Sequence, residues 1–415
     1  MSIIVQKYGG ALLASPEGRE EVAGQVIATR GAGHQVVVVA SAPGREGDPY
    51  ATDTLMGLAH KVDPDVSPRT LDLLLSCGEI ISTALLAHTL EQQGAPAVAL
   101  TGPQAGIETT GDFGEARILQ INPGAIRRQL DGGRVVVVAG FQGVTAEGEV
   151  TTLGRGGSDT TAVALGAALG ADLVEIYKDV EGVMTADPKV VPEGRVITQI
   201  SYDEVSQMAA LGARVIHPRA ADIGREHDVR VVIRRLGSGG TGGTFLMRGP
   251  ELGVPISDGR PVIALAHLPD VVQLRLRRPG SESLDHPLHA LQQLAAEGIS
   301  IDLITLMTDV LAFTVKEDVY ERAARLLRDE GYEVSITRPC AKISIIGAGM
   351  RGVPGVMARV VRALRAAETE ILQTADSHTT ISCLVPREHM ERALRALHNE
   401  FSLAEQVASE REAPG

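Results

Sequence analysis

The chain has 415 residues, with 39 basic against 52 acidic side chains and a net charge of −13. That is enough length for two or three domains with cores of their own, and 44% hydrophobic with 22% charged residues excludes pervasive disorder. The acidic balance argues against a nucleic-acid partner or an anionic membrane surface, since both call for a basic face.

The three cysteines, Cys77, Cys340 and Cys383, lie far apart with no metal-ligand spacing. They read as buried thiols in a reducing compartment. Met1-Ser2-Ile3-Ile4-Val5 reads as a strand without a basic leader, and no apolar run approaches the roughly 18 residues of a membrane span. A cytoplasmic protein with no membrane partner is expected.

Up to about residue 245, apolar strand runs alternate with helical stretches. The clearest strands are 3–5, 36–40, 135–139, 173–177 and 229–233, rich in Val and Ile on both faces. This predicts an α/β architecture in three layers, an open, mostly parallel sheet covered by helices on each side. Glycine loops follow three of the runs, at Gly9-Gly10, at 41–44 and at 140–143. Ligands of such sheets bind at the carboxyl ends of the strands.

The Gly-rich run 238–243, with 249–255 after it, marks a domain boundary. Beyond it, residues 301–327 align with 371–397 at an offset of 70, so that Glu321-Arg322-Ala323 falls on Glu391-Arg392-Ala393 and Arg325 on Arg395. Each copy reads strand, strand, amphipathic helix, and each follows another helix, at 287–296 and 354–366. Two βαββαβ units are predicted. The tail after Glu405 is short, polar and expected to be disordered.

The strongest chemical signal is Leu153-Gly154-Arg155-Gly156-Gly157-Ser158-Asp159-Thr160-Thr161 before a helical run. Glycines at a capped helix N-terminus offer backbone N–H groups to an anion, and they equally serve a tight turn. Two opposite charges inside the loop favour the first use: Arg155 to grip a carboxylate, Asp159 to steer Lys7 or a metal. Lys7-Tyr8-Gly9-Gly10 puts a lysine at the sheet's ligand edge beside glycines, with a spacing that fits neither a Walker loop nor a dinucleotide fingerprint.

Other positions keep two readings. Glu79, after a glycine at an expected helix start, reads as a ligand or as a carboxylate favouring the helix dipole. Ser41 reads as a contact or a turn residue, and His217 before Pro218 as a packing or capping histidine. Arg127-Arg128, Arg234-Arg235 and Arg277-Arg278 read as solvated surface, with Arg234 able to face a phosphate. The 11 histidines form no metal pattern.

The loop 153–161 together with Ser76-Cys77-Gly78-Glu79, Val138-Ala139-Gly140-Phe141, the run 179–188 and the run 212–219 closely resembles the aspartate kinases of the amino acid kinase superfamily, from residue 1 to about 403. The repeated units resemble that family's paired ACT domains, with Gly347-Ala348-Gly349-Met350 and Pro354-Gly355-Val356 opening the second. The run 373–381 is similar to single-function members of the diaminopimelate or lysine pathway.

The resemblance implies an amino acid kinase domain at 1–245, a linker at 246–262, ACT units at 263–338 and 339–405, and a tail at 406–415. It implies phosphorylation of L-aspartate by ATP with Mg²⁺, at the head of lysine, threonine and methionine synthesis. Lys7 and Asp159 would be catalytic. Ser41, Glu79, Arg155, Gly156, Gly157 and Ser158 would meet aspartate. Lys7, Tyr8, Gly9, Gly10, Lys178, Asp179, Met184, Asp187, Pro188 and Lys189 would meet the nucleotide, and no protein side chain is assigned to the metal. An effector (lysine, threonine or diaminopimelate) would meet Ser300, Ile301, Asp302, Gln373 and Thr374, though Asp302 also reads as a strand-end cap. Paired ACT units imply a homodimer or larger homo-oligomer.

The chain departs from the family where Thr-Ser-Val usually follows Gly-Gly: here stands Ala11-Leu12-Leu13. Lys178 replaces a usual Thr, and Lys189 a usual Arg. These changes keep open a different carboxylate acceptor, or a silent amino-acid-sensing subunit.

Overall fold

A computed structural model describes residues 2–213, 215–237, 242–248, 261–277, 285–307, 310–350 and 352–405. The chain divides into two compact units. One comprises Met1–Val183, Val196–Ala209 and Arg214–Pro250; the other comprises Met184–Arg195, Ala210–Ala213 and Glu251–Gly415.

The first unit is built on an eight-stranded sheet. Its spatial order is Gln199–Ser201, Thr244–Met247, Val231–Arg235, Leu173–Lys178, Ile3–Tyr8, Gln35–Ala40, Val135–Ala139, Ala97–Leu100. All neighbours are parallel except Val231–Arg235 with Thr244–Met247. The central strands are buried along their length, as a sheet covered on both faces requires. A small four-stranded sheet, Ile118–Ile121, Ile107–Thr109, Gln142–Val144 and Val150–Thr152, stands beside it.

The strand expected at 229–233 runs instead from Val231 to Arg235. The Val229 N–H is taken by the Gly224 carbonyl, which closes the helix Pro218–Glu226, so the strand starts later. It therefore carries Arg234 into the core, where the guanidinium lies 3.6 Å from Glu175 on the neighbouring strand. Arg234 is not surface.

The helix Pro68–Gln92, started by Pro68 and a Ser67 cap, is long and apolar enough by length and composition to cross a membrane. Polar residues such as Asp72, Ser76 and Glu79 interrupt its apolar runs. Here it packs on the strands Ala97–Leu100 and Val135–Ala139, and its buried face carries Asp72, Ser76, Glu79, Ser82 and Thr83. Glu79 thus sits in a helix interior, contrary to the helix start expected there. Gly78 misled because it serves close approach: a Cβ there would stand 2.7 Å from the Tyr50 carbonyl and 2.8 Å from the Ala42 side chain. Cys77, on the same helix, is exposed; Cys340 and Cys383 are buried.

The second unit holds a six-stranded antiparallel sheet ordered Asp302–Leu306, Leu311–Lys316, Ala264–Arg277, Glu333–Ile346, Thr380–Pro386, Gln373–Asp376. The two central strands are each 14 residues long and serve both repeats. Ala264–Leu268 pairs with Lys342–Ile346, and the later half of the same strand pairs with Glu333–Cys340. The repeated helices are Tyr320–Asp329 and Met390–Glu400, preceded by Asp285–Ala296 and Val356–Ala366. The tail 406–415, most of the Gly-rich run and Arg278 lie outside the described residues.

Candidate active site

A cleft of 530 Å³ opens at the carboxyl ends of the first unit's central strands, lined among others by Lys7, Gly10, Ser41, Glu79, Arg155 and Asp159. The strand Ile3–Tyr8 ends on the loop of Gly9 and Gly10, and the next strand ends on Ser41 and Ala42. These loops meet backbone to backbone, with the Gly44 N–H on the Gly10 carbonyl at 2.9 Å. A Cβ on Gly10 would stand 2.3 Å from the Ala42 carbonyl, so only glycine fits.

The helix Gly157–Leu169 begins at Gly156, which is left-handed with φ 74°. A Cβ on Gly156 would meet His217 at 2.7 Å. The expected Ser or Thr cap is absent: no side chain closes this N-terminus at the cleft, where the Gly157 and Asp159 N–H groups are taken by the Gly154 and Gly156 carbonyls. His217 caps its own helix instead, accepting from the Arg219 N–H at 3.3 Å.

Asp159, in the first turn, is buried and stands between two ammonium groups. Lys7 Nζ lies 2.8 Å from Oδ1 and Lys178 Nζ 2.9 Å from Oδ2. Both are ion pairs at hydrogen-bonding distance. Burial alone would raise the Asp159 carboxyl; Lys178 and Lys7 outweigh it and hold it well below the carboxylate range. Burial in turn lowers Lys7, with Asp159 opposing and Lys178 adding to the depression.

Glu79 is a different kind of carboxylate. It is 2% exposed, and Oε1 accepts the Ala42 N–H at 3.1 Å while Oε2 has no partner. Burial pushes it up to about 8, against the pull of that hydrogen bond. One turn pair below it on the same helix, Asp72 accepts from the Gly114 and Thr152 N–H groups and the Thr152 hydroxyl at 2.7–2.9 Å. Asp72 fixes two cleft-lining loops. It escaped the sequence reading, although two acids seven residues apart on one face of an apolar helix were a visible signal.

Arg155 is exposed and pairs with Asp53 at 3.2 Å, both of them lining the cleft; Asp179, exposed and paired with Arg45 at 2.9 Å, is not part of that lining. Ser41, Gly156, Gly157, Ser158 and Lys178 line the cleft. Tyr8 does not: it is fully buried, stacked on Tyr177 with ring centroids 4.8 Å apart. Met184, Asp187, Pro188 and Lys189 belong to the second unit, where Ala186, Val190 and Val191 join the core.

In the second unit, Gln373 and Thr374 line a 590 Å³ cleft with Gln273, Arg275 and Thr305. Gln273 Nε2 donates to Gln373 Oε1 at 2.8 Å, and Gln373 Nε2 in turn donates to the Thr305 hydroxyl at 2.8 Å. Ser300, Ile301 and Asp302 are not part of that lining. The Asp302 carboxylate is engaged by the Leu303 N–H and by the buried Lys342 ammonium. Among the described residues, no group of three or more His, Cys, Asp or Glu side chains could hold a metal.

Residues 2–235 match the amino acid kinase family and residues 335–399 match an ACT domain. Aspartokinase 1 of Bacillus subtilis is 42% identical over 97% of this chain and all of its own length. The crystal structure of E. coli aspartokinase III in complex with aspartate and ADP superposes with a TM-score of 0.74 at 25% identity, covering 96% of this chain and all of that one. The same enzyme with lysine and aspartate gives 0.76 at 25% identity, over 97% and 100%. With a glycine-loop cleft built around a lysine–aspartate pair, and likeness along both units, the chain belongs to the amino acid kinase family as an aspartokinase with a C-terminal ACT region.

Proposed function

We propose that this aspartokinase transfers the γ-phosphoryl group of ATP to the β-carboxylate of L-aspartate, giving 4-phospho-L-aspartate and ADP. The observation that most supports it is the Lys7–Asp159 pair, 2.8 Å apart, at the open helix N-terminus in the cleft that also holds Glu79. The relative solved with aspartate and ADP supports the same pair of ligands.

The nucleophile is a carboxylate, already ionised at neutral pH, so no general base is needed. One carboxylate oxygen bonds to the γ-phosphorus as the bond from that phosphorus to the bridging oxygen breaks, and the electron pair leaves on ADP. Lys7 neutralises charge on the transferring group, and Asp159 holds Lys7 in position. Gly9, Gly10 and the helix end carrying Gly156, Gly157 and Ser158 cradle the oxygens, with Ser41 and Lys178 lining the same cleft.

Arg155 receives the α-carboxylate of aspartate. Its present partner Asp53 is an exposed one, worth about 0–1 kcal/mol, so the exchange costs little. Glu79 receives the ammonium, which supplies the partner that Oε2 lacks. Mg²⁺ bound with the nucleotide would shield the phosphate charge.

We further read residues 1–245 as catalytic and 263–405 as regulatory, binding an amino acid effector such as lysine, threonine or diaminopimelate. The lysine-bound relative supports lysine first. The chain would then act as a homo-oligomer at the head of lysine, threonine and methionine synthesis.

Trapping the acyl phosphate with hydroxylamine tests this. Hydroxamate should form from aspartate and Mg-ATP and be suppressed by one of the three effectors. Folded protein that makes none from aspartate would overturn the proposal.

A further inference from the structure

Lys178 has a definite position in the structure. It ends the strand Leu173–Lys178, which pairs with Ile3–Tyr8 in parallel so that Lys7 lies opposite Ile176 and Tyr8 opposite Tyr177. Two adjacent strand ends therefore deliver two lysines to one carboxylate, Oδ1 of Asp159 facing Lys7 and Oδ2 facing Lys178. Both ammonium groups line the cleft, beside Gly10, Gly156, Gly157 and Ser158.

One buried aspartate neutralises one cation. With two, the second ammonium has no carboxylate of its own within this trio, and Lys178, whose side chain keeps 19% of its surface exposed on the open cleft, is placed to meet an anion that enters it.

We propose that Lys178 is a second phosphoryl-binding residue of this enzyme, holding the terminal phosphoryl group of ATP together with Lys7, with Asp159 positioning both. Two ammonium groups on the two oxygens of one carboxylate are close enough to grip one phosphoryl group from two sides. The inference rests on the assignment of Lys7 to the transferring phosphoryl group, and it adds a second cationic contact to that group.

The test compares Lys178→Thr and Lys178→Arg with the unaltered full chain, using nucleotide binding and turnover separately. Mg-ADP and a non-hydrolysable Mg-ATP analogue are titrated by calorimetry. Lys178→Thr should weaken the triphosphate analogue about tenfold and Mg-ADP less than about twofold. Its kcat for hydroxamate should fall about 10²-fold, the scale of one lost charge-stabilising donor. Lys178→Arg, which keeps the charge and guards against a folding defect, should recover most of the triphosphate selectivity.

Equal weakening of both nucleotides, or none, would overturn the proposal and leave Lys178 as a counter-ion of Asp159 alone. The binding arms need no turnover, so they stand even if the acceptor proves not to be aspartate. Absence of hydroxamate in the unaltered enzyme would instead count against the proposed reaction.

Discussion

Two buried carboxylates face the same cleft, and their surroundings set them apart. Asp159 has a cation on each oxygen and is held ionised far below the ordinary range; Glu79 has one backbone N–H, an unpartnered oxygen and a pKa of about 8. Burial acts on both in the same direction, so the difference is made by partners. A carboxylate with its partners built in organises the site. One left short of a partner is poised for a ligand that brings it.

Removing the cation from the paired side should have the largest effect. Lys7→Ala is expected to lower kcat in the hydroxamate assay by about 10³-fold, with circular dichroism unchanged. Retained turnover would break the division of labour between the two carboxylates.

On the other side, Glu79→Gln should raise KM for aspartate by about 10–100-fold, the loss of roughly 1.5–3 kcal/mol for a bond to a charged group, while kcat changes little. Its stability should move the opposite way. A raised carboxyl pKa makes the folded state hold a proton the unfolded chain releases, so stability falls as pH rises from about 4.5 to about 8. The glutamine variant escapes that loss. Its melting temperature should therefore exceed the unaltered protein's by a margin that widens over that window.

The same shift predicts the pH profile. Receiving an ammonium requires ionised Glu79, so KM for aspartate should fall as pH rises from 6 to 8, by at most about tenfold per unit, and level off above. A flat profile would place the ammonium elsewhere. The smallest effect is expected at Asp72→Asn, which weakens three bonds to the cleft loops without touching the chemistry. Denaturant unfolding should show about 1.5–3 kcal/mol less stability, and kcat only a several-fold decrease.

Much of this cleft was legible from the sequence. Lys7 follows a buried strand into two glycines, and Asp159 sits in a glycine loop before a helix. Both signals are local, and the fold keeps local signals. The repeat at an offset of 70 likewise predicted the paired units, but the sharing of the strands Ala264–Arg277 and Glu333–Ile346 depends on pairs far apart in the chain, from Arg277 with Glu333 to Ala264 with Ile346.

Glu79 was misplaced because Gly78 looked like a helix boundary, when what it permits is contact with a loop distant in sequence. Tyr8 followed the motif on paper, yet strand alternation turned it into the core, against Tyr177. The second partner of Asp159 was invisible for the same reason. Lys178 comes to it only through the pairing of adjacent parallel strands.

The most direct measurement is calorimetric titration of aspartate at pH 7 in two buffers of different ionisation enthalpy. Glu79 with a pKa of about 8 is about nine-tenths protonated there, so binding an ammonium should release about 0.9 proton per aspartate. The Glu79→Gln variant should release none. Aspartate binding without proton release in the unaltered protein would contradict the account, because Glu79 would then not be the carboxylate that waits for the substrate.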